Sequence, residues 1–371
     1  MSYQTSNSRA AHVVIDSAAI EHNLTRVATI VPSAKVMAVV KADGYGHGME
    51  VAAKALASAD EFAVSSLDDV KRLRSQGFDK PITMLSATFD VDDLNSMSAQ
   101  KVRPVIYDLA QLPTLVELSE KAELDLWLKI DTGMGRLGLC IDDAHLIAAR
   151  LLSQTGVNSV SAMTHLANAD DPDHPNNQRQ IKRFLKFAEP YNFSQLSIMN
   201  SAGTLAFPQQ ANSMVRPGLI LYGVSPQLSP QLSPKLGVSA QPLDLRPAMT
   251  LKSKLISVKR LPVGSPIGYG SRYTLDSDSR IGVISCGYAD GYPRHAPSGT
   301  PVLINGMYVP LIGRVSMDLI TVDLGEVRAE VGDDVILWGA DNPIEVIAEM
   351  SDTIAYELLC GITSRVERIV I

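Results

Sequence analysis

Val36-Met-Ala-Val-Val-Lys-Ala-Asp-Gly-Tyr-Gly-His-Gly48 carries an apolar run straight into a glycine-rich turn, with a single lysine at the junction. A short apolar run bounded by turn residues reads as a buried strand, and Lys41 then stands where that strand ends. A lysine in such a place loses hydration, its pKa tends to fall, and its amine becomes available as a nucleophile toward a carbonyl. The ordinary alternative is a solvent-facing lysine that closes a strand, and this segment alone leaves both readings open. Gly44, Gly46 and Gly48 let the backbone approach a ligand closely, and Tyr45 and His47 offer polar groups between them.

Working outward, similar apolar runs recur with room for a helix between each pair: 35–41, 61–65, 82–86, 102–107, 124–131, 160–165, 195–200 and 214–222. Between them, 50–59, 67–76, 109–121, 142–152 and 177–188 place apolar residues at helical spacing. Eight strand-helix units predict an α/β fold, a TIM-like (β/α)8 barrel. A doubly wound open sheet is the alternative, because periodicity does not count closure. The barrel is favoured by where the reactive residues fall: Lys41 ends the first strand, His165 the sixth, Asn200 and Ser201 the seventh, and Arg216 lies in the eighth. In a barrel such strand ends meet at one face.

Two of these loops suit a phosphate. Asn200-Ser-Ala-Gly-Thr204 opens a segment with small residues and hydroxyls, and Gly218 beyond Arg216 could add a backbone donor. Taken singly, Ser201 also reads as a helix cap and Gly218 as relief of crowding. A Schiff-base lysine and a phosphate loop on the same face together point to pyridoxal 5'-phosphate, which carries an aldehyde and a phosphate.

After residue 222 the character changes. Residues 225–236 read SPQL-SPQL-SPKL, a tandem repeat whose prolines preclude regular helix, taken as a surface connection. Beyond it, alternating runs at 250–261, 280–286, 301–312, 319–324 and 334–338 predict a mainly β domain, with short helices at 345–350 and 355–360. The expected division is a barrel over 10–240 and a β domain over 241–371, with residues 1–9 free to pack with the latter.

Composition sets the outer limits. The chain has 371 residues, 46% hydrophobic and 20% charged, which is ample for a core and long for one domain. A formal net charge of -7, without a basic run, argues against a nucleic-acid surface. Cys140, Cys286 and Cys360 are too scattered for a disulfide framework or a zinc site and read as reduced, mostly buried thiols; no metal is expected. Residues 1–10 lack an apolar signal region and no span of about 18 apolar residues occurs, so no membrane association and a cytoplasmic location are expected.

Eight motifs now stand in order along the chain. In the first domain they are Val39-Val-Lys-Ala-Asp-Gly-Tyr-Gly-His-Gly48, Leu128-Lys-Ile-Asp-Thr-Gly-Met-Gly-Arg-Leu-Gly138, Thr164-His-Leu-Ala-Asn-Ala-Asp170 and Val215-Arg-Pro-Gly-Leu219. In the second they are Ile267-Gly-Tyr-Gly-Ser-Arg-Tyr273, Gly287-Tyr-Ala-Asp-Gly-Tyr292, Gly313-Arg-Val-Ser-Met-Asp318 and Ile354-Ala-Tyr-Glu357. With these motifs the chain resembles, over essentially its whole length, the alanine racemases, pyridoxal-phosphate enzymes of fold type III.

The resemblance implies a barrel that binds the cofactor, a C-terminal β domain, and a head-to-tail homodimer whose sites borrow residues from the partner. It makes Lys41 the lysine that holds the cofactor and the base for the D-enantiomer, and Tyr269 of the other subunit the base for the L-enantiomer. A tyrosine with its usual pKa of about 10 needs cationic neighbours for that task. His165 resembles the histidine beside it, linked to Arg216, which faces the pyridine nitrogen. Tyr45, Asn200, Ser201, Gly218, Leu219 and Tyr356 match the cofactor-binding set, the phosphate falling to all but Asn200. Arg136 matches the residue that touches the cofactor phenolate oxygen and the substrate carboxylate, and Met317 the one whose N–H also binds that carboxylate. Tyr288 and Asp318 shape the entrance, and Lys129 matches a lysine often carbamylated. The expected reaction is L-alanine to D-alanine, for peptidoglycan or in catabolism. The alternatives are racemisation of serine or a broader range of amino acids, a fold-type III decarboxylase, or a non-catalytic pyridoxal-phosphate protein.

Overall fold

The structure, a computed structural model, describes residues 9–86, 90–117, 123–226 and 244–371. Eight parallel strands form the first domain: β2 (Lys35–Val39), β3 (Glu61–Val64), β4 (Ile82–Met84), β5 (Val102–Ile106), β6 (Leu124–Lys129), β7 (Val157–Met163), β8 (Leu196–Ser197) and β9 (Met214–Val215). Each pairs with the next in sequence from β2 to β8, and β9 returns to pair with β2. The order is that of a barrel, so the open doubly wound sheet is excluded. Strands such as β3 and β4 are buried along their whole length, as strands covered on both sides must be.

The helices between them earn their place by amphipathicity. In Asn176–Ala188, Ile181, Phe184 and Phe187 are buried while Lys182, Arg183 and Lys186 face water. Asp16, Ser66 and Asp90 cap their helices by accepting backbone N–H groups.

The barrel has one seam without a ladder, between β8 and β9. There the Leu196 N–H donates to Ser213 Oγ (2.6 Å), the Ser197 hydroxyl to the Met214 carbonyl (2.7 Å), and the Arg216 N–H to the Met199 carbonyl (2.9 Å). The run 214–222, read as one strand, in fact stops at Val215, because Pro217 has no N–H to offer a ladder; Leu219–Tyr222 coil into a 3-10 turn. Arg216 therefore lies just past the strand end.

The second domain is an eight-stranded sheet built on the long strand β10 (Met249–Leu261). Its first half pairs with β17 (Asp334–Trp338) and with β1 (His12–Ile15), its second half with β13 (Ser279–Ile284). The sheet is completed by β14 (Pro301–Ile304) and β15 (Met307–Pro310), by β16 (Ile320–Asp323), and by β18 (Glu367–Val370), which runs parallel to β1. A separate two-stranded ribbon joins β11 (Pro266–Ile267) to β12 (Tyr273–Thr274). The chain thus passes from β1 in the second sheet to the barrel and returns to that sheet at β10. Helices Ile344–Met350 and Ala355–Cys360 fall where short helices were expected.

The expected boundary at 240/241 and most of the SPQL repeat lie outside the described residues. The cysteines are free, but Cys140 and Cys360 are exposed and only Cys286 is buried, which corrects the expectation of mostly buried thiols. No helix among the described residues is long and apolar enough to cross a membrane, and no metal-binding group of side chains occurs among them.

Candidate active site

Beyond β2 the backbone changes hand. Ala42, Asp43, Gly44, Tyr45 and Gly46 all hold positive φ, at 52°, 54°, 61°, 53° and 79°. The Gly44 N–H donates to the Val40 carbonyl and the Gly46 N–H to the Ala42 carbonyl, each at 3.0 Å, so Lys41 opens one turn of left-handed helix. Each non-glycine residue in that conformation costs roughly 1–2 kcal/mol, which the surroundings must offset. Asp43 Oδ1 accepts from the Met49 N–H (3.1 Å) and from the Arg72 guanidinium (3.0 Å). From the second domain, Arg368 Nε donates to the Gly46 carbonyl at 2.9 Å. A Cβ at position 46 would lie 2.1 Å from the Leu359 carbonyl oxygen, so only glycine lets the turn and helix Ala355–Cys360 meet.

The turn delivers Tyr45 into a small polar nook. Its ring stacks on Tyr222 at 4.9 Å and tilts toward Tyr356 at 5.9 Å. A Cβ at Gly218 would strike the Tyr45 hydroxyl at 2.4 Å, and the Gly218 N–H donates to Ser201 Oγ at 2.8 Å. Burial raises the pKa of both Tyr45 and Tyr356, so each keeps its proton and is a hydrogen-bond donor. Hydroxyls of Tyr45 and Ser201 beside a glycine that admits no side chain fit a phosphate.

Arg216 is buried behind this nook and its guanidinium donates to the Ser197 carbonyl (2.8 Å), to Ser197 Oγ (2.6 Å) and to the Thr164 carbonyl. Burial brings its pKa down to about 10. Asn200 Oδ1 accepts from the Gly203 N–H at 2.9 Å, which turns its amide nitrogen toward His165 Nε2 at 3.3 Å. His165 Nε2 is therefore the acceptor and its proton, when neutral, sits on Nδ1. Burial, then the charges of Arg216, Lys129, Arg136 and Lys41, hold the His165 pKa well below its usual value.

The same cations act on each other. Burial, then Arg136, lowers the Lys41 pKa. Burial, then Arg216, Arg136 and Lys41, lowers that of Lys129 to about 8. Asp131 opposes this, and its oxygens accept from the N–H groups of Gly133 (2.8 Å), Met134 (2.9 Å) and Gly135 (2.9 Å), which shape the loop bearing Arg136. Among the described residues no carboxylate pairs with Lys41, Lys129, Arg136 or Arg216. A phosphate, a phenolate oxygen and a carboxylate are the ligands such a cluster calls for.

The residues singled out from sequence fall into two groups. Lys41, Tyr45, Lys129, Arg136, His165, Asn200, Ser201, Arg216, Gly218 and Leu219 gather at the carboxyl ends of the barrel strands, joined there by Tyr356. Tyr269, Tyr288, Met317 and Asp318 lie on the second domain. There residues 267–270 press on 313–314, and the Tyr288 and Ala289 N–H groups donate to the Ser316 and Met317 carbonyls, each at 3.0 Å. Tyr269 is 70% and Met317 53% exposed, while Asp318 is tied to Arg365 (2.6 Å) and Arg9 (3.1 Å). Among the described residues no hydrogen bond, ion pair or ring contact joins Tyr269 or Met317 to the first group.

His47, read as a polar group facing a ligand, is instead wholly buried. Asp131, Ser197 and Gln180 escaped the sequence reading. Gln180 bridges the His165 carbonyl (2.9 Å) and the Ala167 N–H (2.9 Å) from helix Asn176–Ala188; a glutamine on that helix's apolar face was its only signal.

Known proteins match this architecture. A family model described as alanine racemase, N-terminal domain, matches residues 15–226, and one described as alanine racemase, C-terminal domain, matches 248–370. An alanine racemase of Shigella dysenteriae is 44% identical over 360 residues, covering 96% of this chain and 98% of that protein. A biosynthetic alanine racemase of Escherichia coli K12 is 43% identical over the same shares. The crystal structure of the biosynthetic alanine racemase from Pseudomonas aeruginosa superposes with a TM-score of 0.92 at 38% identity, covering 98% of this chain and 99% of that one. The structure of an alanine racemase from Acinetobacter baumannii gives 0.91 at 34%, covering 98% of this chain and 100% of that one.

Two outcomes are expected from this geometry. Gly218→Ala should drive the Tyr45 hydroxyl from the nook and weaken pyridoxal 5'-phosphate binding tenfold or more in a spectroscopic titration. Lys129, with a folded pKa of about 8 against an ordinary 10.5, is charged at a cost below pH 8, and the unfolded chain holds the extra proton between pH 8 and 10.5. Stability from this group therefore rises with pH across that window. Lys129→Met should stabilise the cofactor-free protein in carbon-dioxide-free buffer by roughly 3 kcal/mol at pH 7 and by much less at pH 10, read from denaturant melts.

Proposed function

Because the chain belongs to the alanine racemase family, we propose that it draws the two proton-transferring groups of its reaction from two subunits of a homodimer. It is a pyridoxal 5'-phosphate-dependent isomerase that interconverts L-alanine and D-alanine. When bound, the cofactor supplies an electron-withdrawing ring that makes the Cα proton of the amino acid removable.

Lys41 would hold the cofactor through its amine and would take or return the Cα proton on the D side. Burial, then Arg136, lowers its pKa from the ordinary lysine value, so it gives up its proton more readily. Tyr269 serves the L side from the partner subunit. In support, its hydroxyl stands on an exposed turn of its own chain, with Met317 and Tyr288 on the same domain and also exposed. His165, neutral and accepting at Nε2, belongs beside that tyrosine.

Tyr45, Ser201 and Tyr356 would donate to the phosphate through hydroxyls, and Leu219 and Gly218 through backbone N–H groups, the Gly218 N–H turning from Ser201 Oγ, where it now donates. Arg216, fixed by Ser197 and Thr164, would face the pyridine nitrogen and keep its own protons there. Arg136 and the Met317 N–H bind the substrate carboxylate. Lys129, its amine easily neutralised, reacts with carbon dioxide, losing one proton to give a carbamate anion that steadies Arg136. Tyr288 and Asp318 line the approach. The observation that carries this reading is the cluster of Lys41, Lys129, Arg136 and Arg216 with no carboxylate partner among the described residues.

The D-alanine formed is read as a precursor of peptidoglycan made in the cytoplasm, in keeping with relatives described as biosynthetic. The decisive experiment mixes two inactive variants, Lys41→Ala and Tyr269→Phe. Subunit exchange should restore about half of one dimer's sites in each heterodimer, because one site then combines an intact Lys41 with an intact Tyr269. A mixture that stays inactive after verified exchange would exclude shared sites.

A further inference from the structure

We propose that His47 is a positioning residue, which holds the left-handed turn so that Lys41 and Tyr45 sit at the separation the cofactor requires. That role presupposes the cofactor contacts proposed above for Lys41 and Tyr45. His47 is 0% exposed, and its Nδ1 lies 3.0 Å from the Gly44 carbonyl and 2.9 Å from the Tyr45 carbonyl. Carbonyls only accept, so the proton must sit on Nδ1 and be shared between them. Nε2 is then a bare acceptor, buried without a partner among the described residues. Burial, with Arg368 adding to it against the two carbonyls, lowers the pKa to about 4, so the ring stays neutral.

The ring does a second thing. It stacks on Tyr222 at 4.5 Å and 27°, and Tyr222 in turn stacks on Tyr45 at 4.9 Å and 28°. The Tyr222 hydroxyl donates to the Val39 carbonyl at 3.1 Å, two residues before Lys41. One imidazole thus grips the Tyr45 end of the turn through its N–H and the Lys41 end through Tyr222. The N–H is the specific element, because the two carbonyls it serves exist in that orientation only while the turn is left-handed.

Two variants separate the N–H from the ring. His47→Phe keeps a flat ring and loses the donor; His47→Asn loses the ring but places an amide N–H at the same distance from Cβ as Nδ1. The rate of pyridoxal 5'-phosphate release from each holoenzyme, followed by absorbance during exchange, is compared with the melting curve of each cofactor-free protein. His47→Phe should fold and release the cofactor at least ten times faster than the wild type, a change worth about 1.4 kcal/mol. His47→Asn should stay within threefold. A less than tenfold change in His47→Phe, or a loss beyond threefold in His47→Asn, overturns the proposal. Should His47→Phe fail to fold, His47→Asn decides alone by the same threshold. A wild-type protein that bound no pyridoxal 5'-phosphate would instead remove the reading of Lys41 and Tyr45, whatever the variants did.

Discussion

Lys41, Lys129, Arg136 and Arg216 share the mouth of the barrel, and among the described residues no carboxylate forms an ion pair with any of them. Like charges in a partly desolvated site repel, and the protein relieves this in ways its chemistry can use. The lysines give up protons more easily, which suits the roles proposed for them, nucleophile and base at position 41 and carbon dioxide acceptor at 129. His165 is kept neutral. What remains of the charge suits the phosphate and phenolate oxygen of pyridoxal 5'-phosphate and the carboxylate of alanine. On the proposed reading, the fit to a cofactor rich in anionic oxygens and the reactivity of Lys41 have the same origin in this imbalance.

Holding such a cluster requires rigid supports. Arg216 is fastened where the barrel lacks a ladder. The missing β8–β9 pairing leaves room for its N–H to reach the Met199 carbonyl and for its guanidinium to reach Ser197 and Thr164. Lys41 is fastened by a left-handed turn gripped from both domains, by His47 and Asp43 within the barrel and by Arg368 and helix Ala355–Cys360 from the β domain. The first strand, β1, is paired into the second sheet between β10 and β18, which ties the domain carrying Tyr269 to the chain entering the barrel.

Much of this was legible in the sequence. Eight apolar runs at strand-helix spacing favoured the barrel, and Lys41, His165 and Asn200 fell at strand ends as that fold demands, whereas Arg216, read inside the eighth strand, lies just past its end. The motif glycines were legible as places of close approach, and Gly46 and Gly218 prove to be so by the clash a Cβ would make. The handedness of the turn was not legible: Ala42, Asp43 and Tyr45 do not favour positive φ, and only contacts distant in sequence impose it. His47 misled for the same reason, since a histidine among glycines gives no sign of whether it faces ligand or core. The end of β9 at Val215 turned on one proline inside an otherwise continuous apolar run. Gln180 and Ser197 act through backbone carbonyls that sequence does not display.

The central claim is that Lys41 and Tyr269 serve opposite faces of the same Cα. The measurement that tests it most directly is α-proton exchange by Tyr269→Phe holoenzyme in heavy water, followed separately for D-alanine and L-alanine by proton magnetic resonance. With Lys41 intact, D-alanine should take up deuterium at Cα without racemising, while L-alanine keeps its proton. Exchange of both enantiomers at comparable rates, or of L-alanine alone, would contradict the assignment of the two bases.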